Sequence, residues 1–226
     1  MRIVVLTGAG ISAESGIRTF RATDGLWEEH RIEDVATPEG FRRDPALVHR
    51  FYNMRRGDAA RAQPNAAHRA LAALARHHEV TLITQNVDDL HERGGSPEVI
   101  HMHGSLLGAL CSACGHRWPA SLVMRTTDAC PGCGQPHTRP DIVWFGEIPY
   151  HMERIWAAVE QAQIFAAIGT SGQVYPAAGL AQHARRAGAD TIELNLVASA
   201  FSGDFAECRT GPATRVVPAW VASLCS

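Results

Sequence analysis

The chain has 226 residues, 46% of them hydrophobic, enough apolar material to bury about 70% of its unfolded surface and too much for a globally disordered chain. Twenty-one Lys and Arg against 23 Asp and Glu leave a formal charge of −2, so no global field draws it to nucleic acid or to an anionic membrane. Ile3-Val4-Val5-Leu6 is too short for a secretory h-region and no segment approaches a membrane span, so a soluble cytoplasmic protein is expected.

From the N-terminus, Arg2–Thr7 reads as a strand that ends on Gly8-Ala9-Gly10, with a helix-compatible segment from Ser12. Glycines at such a turn let backbone amides approach a pyrophosphate. The next glycine is Gly16, outside the GxGxxG spacing, and a plain tight turn explains the same residues. Asp44-Pro45 opens a helix predicted over 45–60, with Leu47, Val48, Phe51 and Met54 along one face. Tyr52 and Arg55, three apart, share a face on which a phenol and a guanidinium can jointly hold a carboxylate. The ordinary alternative is a tyrosine at a packing contact and an arginine in water. A second helix is predicted over 65–78, its stripe formed by Ala67, Leu71, Leu74 and Ala75.

A strand over 80–84 runs into Thr84-Gln85-Asn86-Val87-Asp88-Asp89, two amides and two carboxylates at one edge, or else helix caps. Another, over 98–102, ends in His101-Met102-His103, where a two-residue step turns both imidazoles to one face. With no third ligand nearby, one catalytic imidazole at His103, beside Gly104, fits better than a metal pair. Cys111-x-x-Cys114 and Cys130-x-x-Cys133 are two knuckles of zinc spacing; two disulfides would need an oxidising compartment that nothing else indicates. Four thiolates leave no open position, so the ion holds a fold together. Ile164–Ile168 is an apolar run suited to a parallel strand covered on both faces, and Gly169-Thr170-Ser171-Gly172 ends it as a second anion-binding turn. A helix over 176–187, strands over 191–194 and 215–217 and a helix from Pro218 complete the chain. This alternation predicts an α/β fold, an open parallel sheet interrupted near 106–139 by a small zinc-binding module.

Taken together, these residues resemble the sirtuins, the NAD-dependent protein lysine deacylases. The matching segments are Gly8 to Ile17 with Thr19-Phe20-Arg21, Thr84-Gln85-Asn86-Val87-Asp88, His103-Gly104, both cysteine pairs, Arg139-Pro140 with Phe145-Gly146-Glu147, Gly169-Thr170-Ser171 and Asn195. The resemblance implies a Rossmann-like sheet with helices on both faces, formed by 1–105 and 140–226, with one structural Zn2+ in 106–139. By residue match, Ala9, Ser12 and Arg21 surround phosphates and ribose of NAD, with Gly8, Gly10, Gly169 and Thr170 in the same turns. Gln85 and Asn86 meet the nicotinamide-side ribose, Asp88 the carboxamide, and Ser171 and Asn195 the adenosine half, while Phe20 shields the reaction centre. The acyl oxygen attacks the anomeric carbon as nicotinamide leaves, and His103 then deprotonates the ribose hydroxyls so that the acyl group migrates. Val143, Phe145 and Gly146 belong to an extended segment that pairs with the backbone of an acylated-lysine protein or peptide.

Residues 36–39 through 51–56 resemble the class III branch, placing a helical acyl-pocket insertion near 37–62. There Tyr52 and Arg55 read the distal carboxylate of succinyl- or malonyl-lysine, and acetyl groups are also removed. Residues 199–214 depart from the family pattern, and no adenine contact is assigned there. A monomer that binds neither membrane nor specific nucleic acid is expected; a mono-ADP-ribosyltransferase using the same NAD site is the alternative activity.

Overall fold

The computed structural model describes residues 1–18, 26–27 and 30–225, the pair 26–27 by backbone alone; Phe20 and Arg21 lie outside the described residues. In chain order, β1 (Arg2–Thr7) is followed by a ribbon of β2 (Leu26–Trp27) and β3 (His30–Arg31). Then come α1 (Ile32–Val35), α2 (Pro38–Arg43), α3 (Pro45–Arg61), α4 (Ala66–Leu74), β4 (Glu79–Thr84), α5 (Leu90–Arg93) and β5 (Ile100–His101). Strands β6 (Gly104–Cys111), β7 (Arg117–Pro119) and β8 (Thr138–Ile142) form a separate antiparallel sheet in the order β7-β6-β8. The chain closes with α6 (Met152–Glu160), β9 (Ile164–Ile168), α7 (Leu180–Arg186), β10 (Asp190–Asn195), β11 (Glu207–Thr210) and α8 (Ala213–Leu224).

The main sheet is parallel throughout, in the order β11-β10-β9-β1-β4-β5. Along β1, Val4 and Leu6 face Ile155, Val159, Leu180 and Ala184 on one side. Ile3 and Val5 face Leu71, Leu74, Val217 and Trp220 on the other. Helices therefore cover both faces, which is why β1 from Ile3 to Leu6 and the whole of β9 run apolar instead of alternating. A third cluster, of Val48, Phe51, Tyr52, Leu106, Ile142 and Trp144, joins α3 to the antiparallel sheet and the segment after it.

Because β1 sits between β4 and β9, the chain builds outward in both directions from that pair, and a crevice opens at their C-terminal ends. The two turns there touch. Gly8 N donates to the Ile168 carbonyl at 2.9 Å and Gly10 N to the Gly169 carbonyl at 2.8 Å. A Cβ on Gly10 would lie 2.7 Å from Gly169 Cα, and one on Gly169, at φ +61, would collide with Ile11 N.

Several expected elements change. The helix near Ser12 is two 3-10 turns, Ala9–Ile11 and Ala13–Ser15, stopped by Gly16 at φ 87. The strand over 98–102 contracts to Ile100–His101, and the helix over 176–187 becomes a 3-10 turn, Ala177–Gly179, followed by α7. The strand expected over 215–217 is overturned: those residues lie in α8, and the edge strand is β11. Val216 and Val217 favour strands locally, but Val217, Trp220 and Val221 at helical spacing bury against Leu71 and Leu74 of α4, and that burial decides. Met54, expected on the buried face of α3, is 42% exposed; Tyr52 and Arg55 are buried there instead. Among the described residues no helix is long and apolar enough to cross a membrane.

Gly169→Ala and Gly188→Ala test the glycine contact. Both sites have left-handed backbone, which alone costs a side chain about 1–2 kcal/mol, but a Cβ at Gly188 meets nothing within 4 Å. Urea unfolding should show a clearly larger loss for Gly169→Ala, and equal midpoints would mean that the close approach carries no cost.

Candidate functional site

A cavity of about 750 Å³ fills the crevice. Its floor is made by the two glycine turns, contributing Gly8, Ala9, Gly10, Gly169, Thr170 and Ser171, and by Asn195 at the end of β10. Gln85, Asn86 and Asp88 enter from the loop after β4, and His103 from the turn after β5. The far wall carries Tyr52 and Arg55 of α3 with Val143, Phe145 and Gly146 of the segment after β8. Every described residue singled out for cofactor or acyl-substrate contact, Ser12 excepted, thus lines one space.

Hydrogen bonds tie the strand ends together. Gln85 Nε2 donates to Thr170 Oγ1 at 2.9 Å, and Asn195 Nδ2 to the Thr170 carbonyl at 2.8 Å, so three separate strands share one residue. Ser12 is fully buried behind the wall, where Asn86 Nδ2 donates to its Oγ at 3.2 Å and that hydroxyl reaches Asp88 Oδ2 at 3.3 Å. Asp88 Oδ1 accepts from Leu90 N at 3.1 Å. Burial raises the Asp88 carboxyl above its ordinary range, opposed by the Leu90 amide and the Ser12 hydroxyl.

His101 and His103 separate. β5 ends at His101, so strand alternation does not reach His103. His101 turns away from the cavity: its Nδ1 lies 3.1 Å from the Asn86 carbonyl and its Nε2 2.6 Å from Glu92 Oε1. His103 lines the cavity, and burial, only partly offset by the Gln85 backbone, lowers its pKa below the ordinary 6.5. A neutral imidazole at physiological pH can accept a proton.

Tyr52 is fully buried and its hydroxyl accepts from Trp144 Nε1 at 3.0 Å; burial raises its pKa, so the phenol stays protonated. Arg55, 7% exposed, stands one helical step on, its guanidinium 5.9 Å from the Phe51 ring centre. The Arg139-Pro140 and Phe145-Gly146-Glu147 motifs brace the segment carrying Val143. Arg139 makes two hydrogen bonds to Glu147, at 2.7 and 2.9 Å, and lies 3.5 Å over the Trp144 ring, while Glu147 Oε2 accepts from Trp144 N at 2.8 Å. Val143 N donates to the His103 carbonyl and Phe145 N to the Ala36 carbonyl, both at 2.9 Å.

The four cysteine sulfurs lie within 4.8 Å of one another, with Cys111 and Cys133, and Cys114 and Cys130, each 3.7 Å apart. A zinc tetrahedron with Zn–S near 2.3 Å has edges of about 3.8 Å, whereas a disulfide brings two sulfurs to about 2.05 Å. The donor set therefore fits one closed structural zinc site.

Sequence reading missed several supports. Asn65 caps α4 and also donates to the Ile11 carbonyl at 2.8 Å and Ser15 Oγ at 3.0 Å, and His68, in the same capping box, reaches Ser12 Oγ at 3.4 Å. Glu14 accepts from Thr214 N and Oγ1 at the start of α8. The only sequence signal was the Asn-x-x-His capping pattern, which says nothing of what lies beyond the helix.

The Sir2 family profile matches residues 8–176. A protein of Escherichia coli O6:H1 named NAD-dependent protein deacylase is 56% identical over 228 residues, covering 99% of this chain and 84% of its own length. A solved complex of a Sir2 homolog with NAD superposes at a TM-score of 0.91, 40% identical, over 99% of this chain and 89% of that one. A Sir2 protein bound to acetylated peptide superposes at 0.83, 27% identical, over 99% and 93%.

Cys130→Ser is expected to abolish stoichiometric zinc binding and to loosen the sheet β7-β6-β8, read by metal analysis and by hydrogen exchange over 104–142. Retained zinc with unchanged protection would show that the cluster does not hold the sheet.

Proposed function

The chain belongs to the Sir2 family, and from that premise we propose that it removes succinyl and malonyl groups from lysine, and acetyl groups besides, releasing nicotinamide and O-acyl-ADP-ribose. The reaction class is that of its relatives, NAD-dependent protein deacylation. The observation that carries the acyl choice is the buried pair Tyr52 and Arg55 at the cavity wall. A distal carboxylate offers this guanidinium a bidentate acceptor and this phenol a second one, whereas an acetyl methyl offers neither. Burial adds weight, because a charge-assisted hydrogen bond in a low-dielectric wall is stronger than in water.

NAD supplies a glycosidic bond to a cationic pyridinium ring, which leaves as neutral nicotinamide. In this reading the chain's own groups do the rest. Ala9, set between two glycine amides that already donate to the Ile168 and Gly169 carbonyls, and Thr170 take the phosphates, and Asn195 and Ser171 the adenosine half. Gln85 and Asn86 hold the ribose, and Asp88, oriented by Leu90 N and Ser12, takes the carboxamide. His103, kept neutral by burial, draws a proton from a ribose hydroxyl. The braced segment of Val143, Phe145 and Gly146 pairs with the backbone of the acylated protein, residues 106–139 serving as its zinc-bound support.

One peptide bearing acetyl, malonyl or succinyl lysine decides the acyl choice. Arg55→Met should lower kcat/KM for the two dicarboxylic acyl groups about 10- to 100-fold, the worth of hydrogen bonds to a charged group, and leave acetyl turnover nearly unchanged. An equal loss on all three would make Arg55 structural, and ADP-ribosylated protein in place of O-succinyl-ADP-ribose would favour a mono-ADP-ribosyltransferase. His103→Ala should fold and lose deacylation. In the wild type, kcat/KM should fall as pH drops through the His103 pKa, below 6.5, because protonation removes the base.

A further inference from the structure

We propose that His101 is a positioning residue: as an imidazolium bridging Glu92 and the Asn86 carbonyl, it holds the loop of Gln85, Asn86 and Asp88 in its cofactor-binding shape, and cofactor affinity falls when the bridge loses its proton. The inference rests on the reading that this loop holds the nicotinamide end of NAD.

The geometry alone sets the proton count. Both ring nitrogens face acceptors, Nδ1 the Asn86 carbonyl at 3.1 Å and Nε2 the Glu92 carboxylate at 2.6 Å. A neutral imidazole has one N–H and one lone pair, so it serves only one of the two and turns the lone pair on the other oxygen. Only the ring protonated on both nitrogens satisfies both. The consequence reaches the cavity because Asn86 is held at both ends of its backbone: its N–H donates to Thr84 Oγ1 at 3.0 Å, and its carbonyl accepts from His101. Its side chain meets Ser12, which in turn meets Asp88. Releasing the carbonyl frees one end of the segment that aims both side chains.

The titratable groups around His101 are Glu92 and His91 from α5 and Asp88 from the loop. Burial keeps His91 neutral, so it opposes the imidazolium weakly, while Glu92 and Asp88 favour it. Burial pulls the His101 pKa down, but the Glu92 carboxylate, the Asn86 carbonyl and Asp88 outweigh burial and the net shift is upward. With the folded pKa raised above 6.5, the bridge is complete below 6.5 and is lost as pH rises through the folded value. This limb is opposite in sign to the one assigned to His103.

NMR titration of the histidines in the free chain, with calorimetric NAD binding from pH 6 to 9.5, tests the proposal. His101 should titrate above 6.5 and, in Glu92→Gln, at lower pH. Across the wild-type titration NAD binding should weaken about 2- to 10-fold, the worth of one hydrogen bond. His101→Asn, whose amide can still donate to the Asn86 carbonyl, should bind NAD with no such dependence. An alkaline weakening that persists in His101→Asn, or a His101 that titrates at or below 6.5, overturns the inference. Asn86→Ala separates the underlying reading: if it binds NAD as the wild type does, the loop is not the nicotinamide subsite, whatever His101 does.

Discussion

The backbone of Gly10 lies against that of Gly169, and no side chain fits between them. This contact ties the end of β1 to the end of β9, the two strands from which the chain turns outward in opposite directions. Gly8 N and Gly10 N donate to the carbonyls of Ile168 and Gly169, which fixes Ala9, between them, at the floor of the crevice. Every other part of the nucleotide side is placed from there. Thr170 follows Gly169 directly and receives Gln85 from the loop after β4 and Asn195 from the end of β10, so the glycine contact sets the spacing of three strand ends.

Behind that floor, the polar side chains are mostly supports for one another. Ser12, Asn86 and Asp88 form a buried network with His68, and the Asn86 carbonyl meets His101, which in turn meets Glu92. Polar groups removed from water are costly unless partnered, and a network in which each orientation limits the next keeps few alternative arrangements. The far wall of the cavity is built differently. Tyr52 and Arg55 stand on a long helix packed in an aromatic cluster, and Arg139 clamps the facing segment through Glu147 and Trp144. The floor is ordered by backbone contacts and hydrogen bonds, and the far wall by aromatic packing together with the Arg139–Glu147 pair.

Much of this is legible in the amino-acid sequence. Strand ends in a buried parallel sheet are where an apolar run gives way to glycine and polar residues, so Gly8-Ala9-Gly10, Gln85-Asn86, His103 and Gly169-Thr170-Ser171 announced themselves by position as well as type. The cysteine spacing carried the metal site, since two thiolates two residues apart meet one ion by local geometry. His101 was less legible. It reads as a twin of His103, and only the two-residue length of β5, with Glu92 on α5 beside it, turns it away from the cavity.

The amino-acid sequence by itself determined the layering of the fold, the place of the glycine turns at the strand ends, the pairing of four cysteines fit for one metal ion and the helical face shared by Tyr52 and Arg55. Each of these follows from periodicity or from spacing over a few residues. The tertiary structure alone decided that residues 215–217 are helical, because burial of Val217, Trp220 and Val221 against α4 outweighs the local strand preference of two valines. It also decided which polar residues line the cavity and which lie behind it. Ser12, His68 and His101 act across contacts between distant parts of the chain, and such contacts leave no short-range pattern to read.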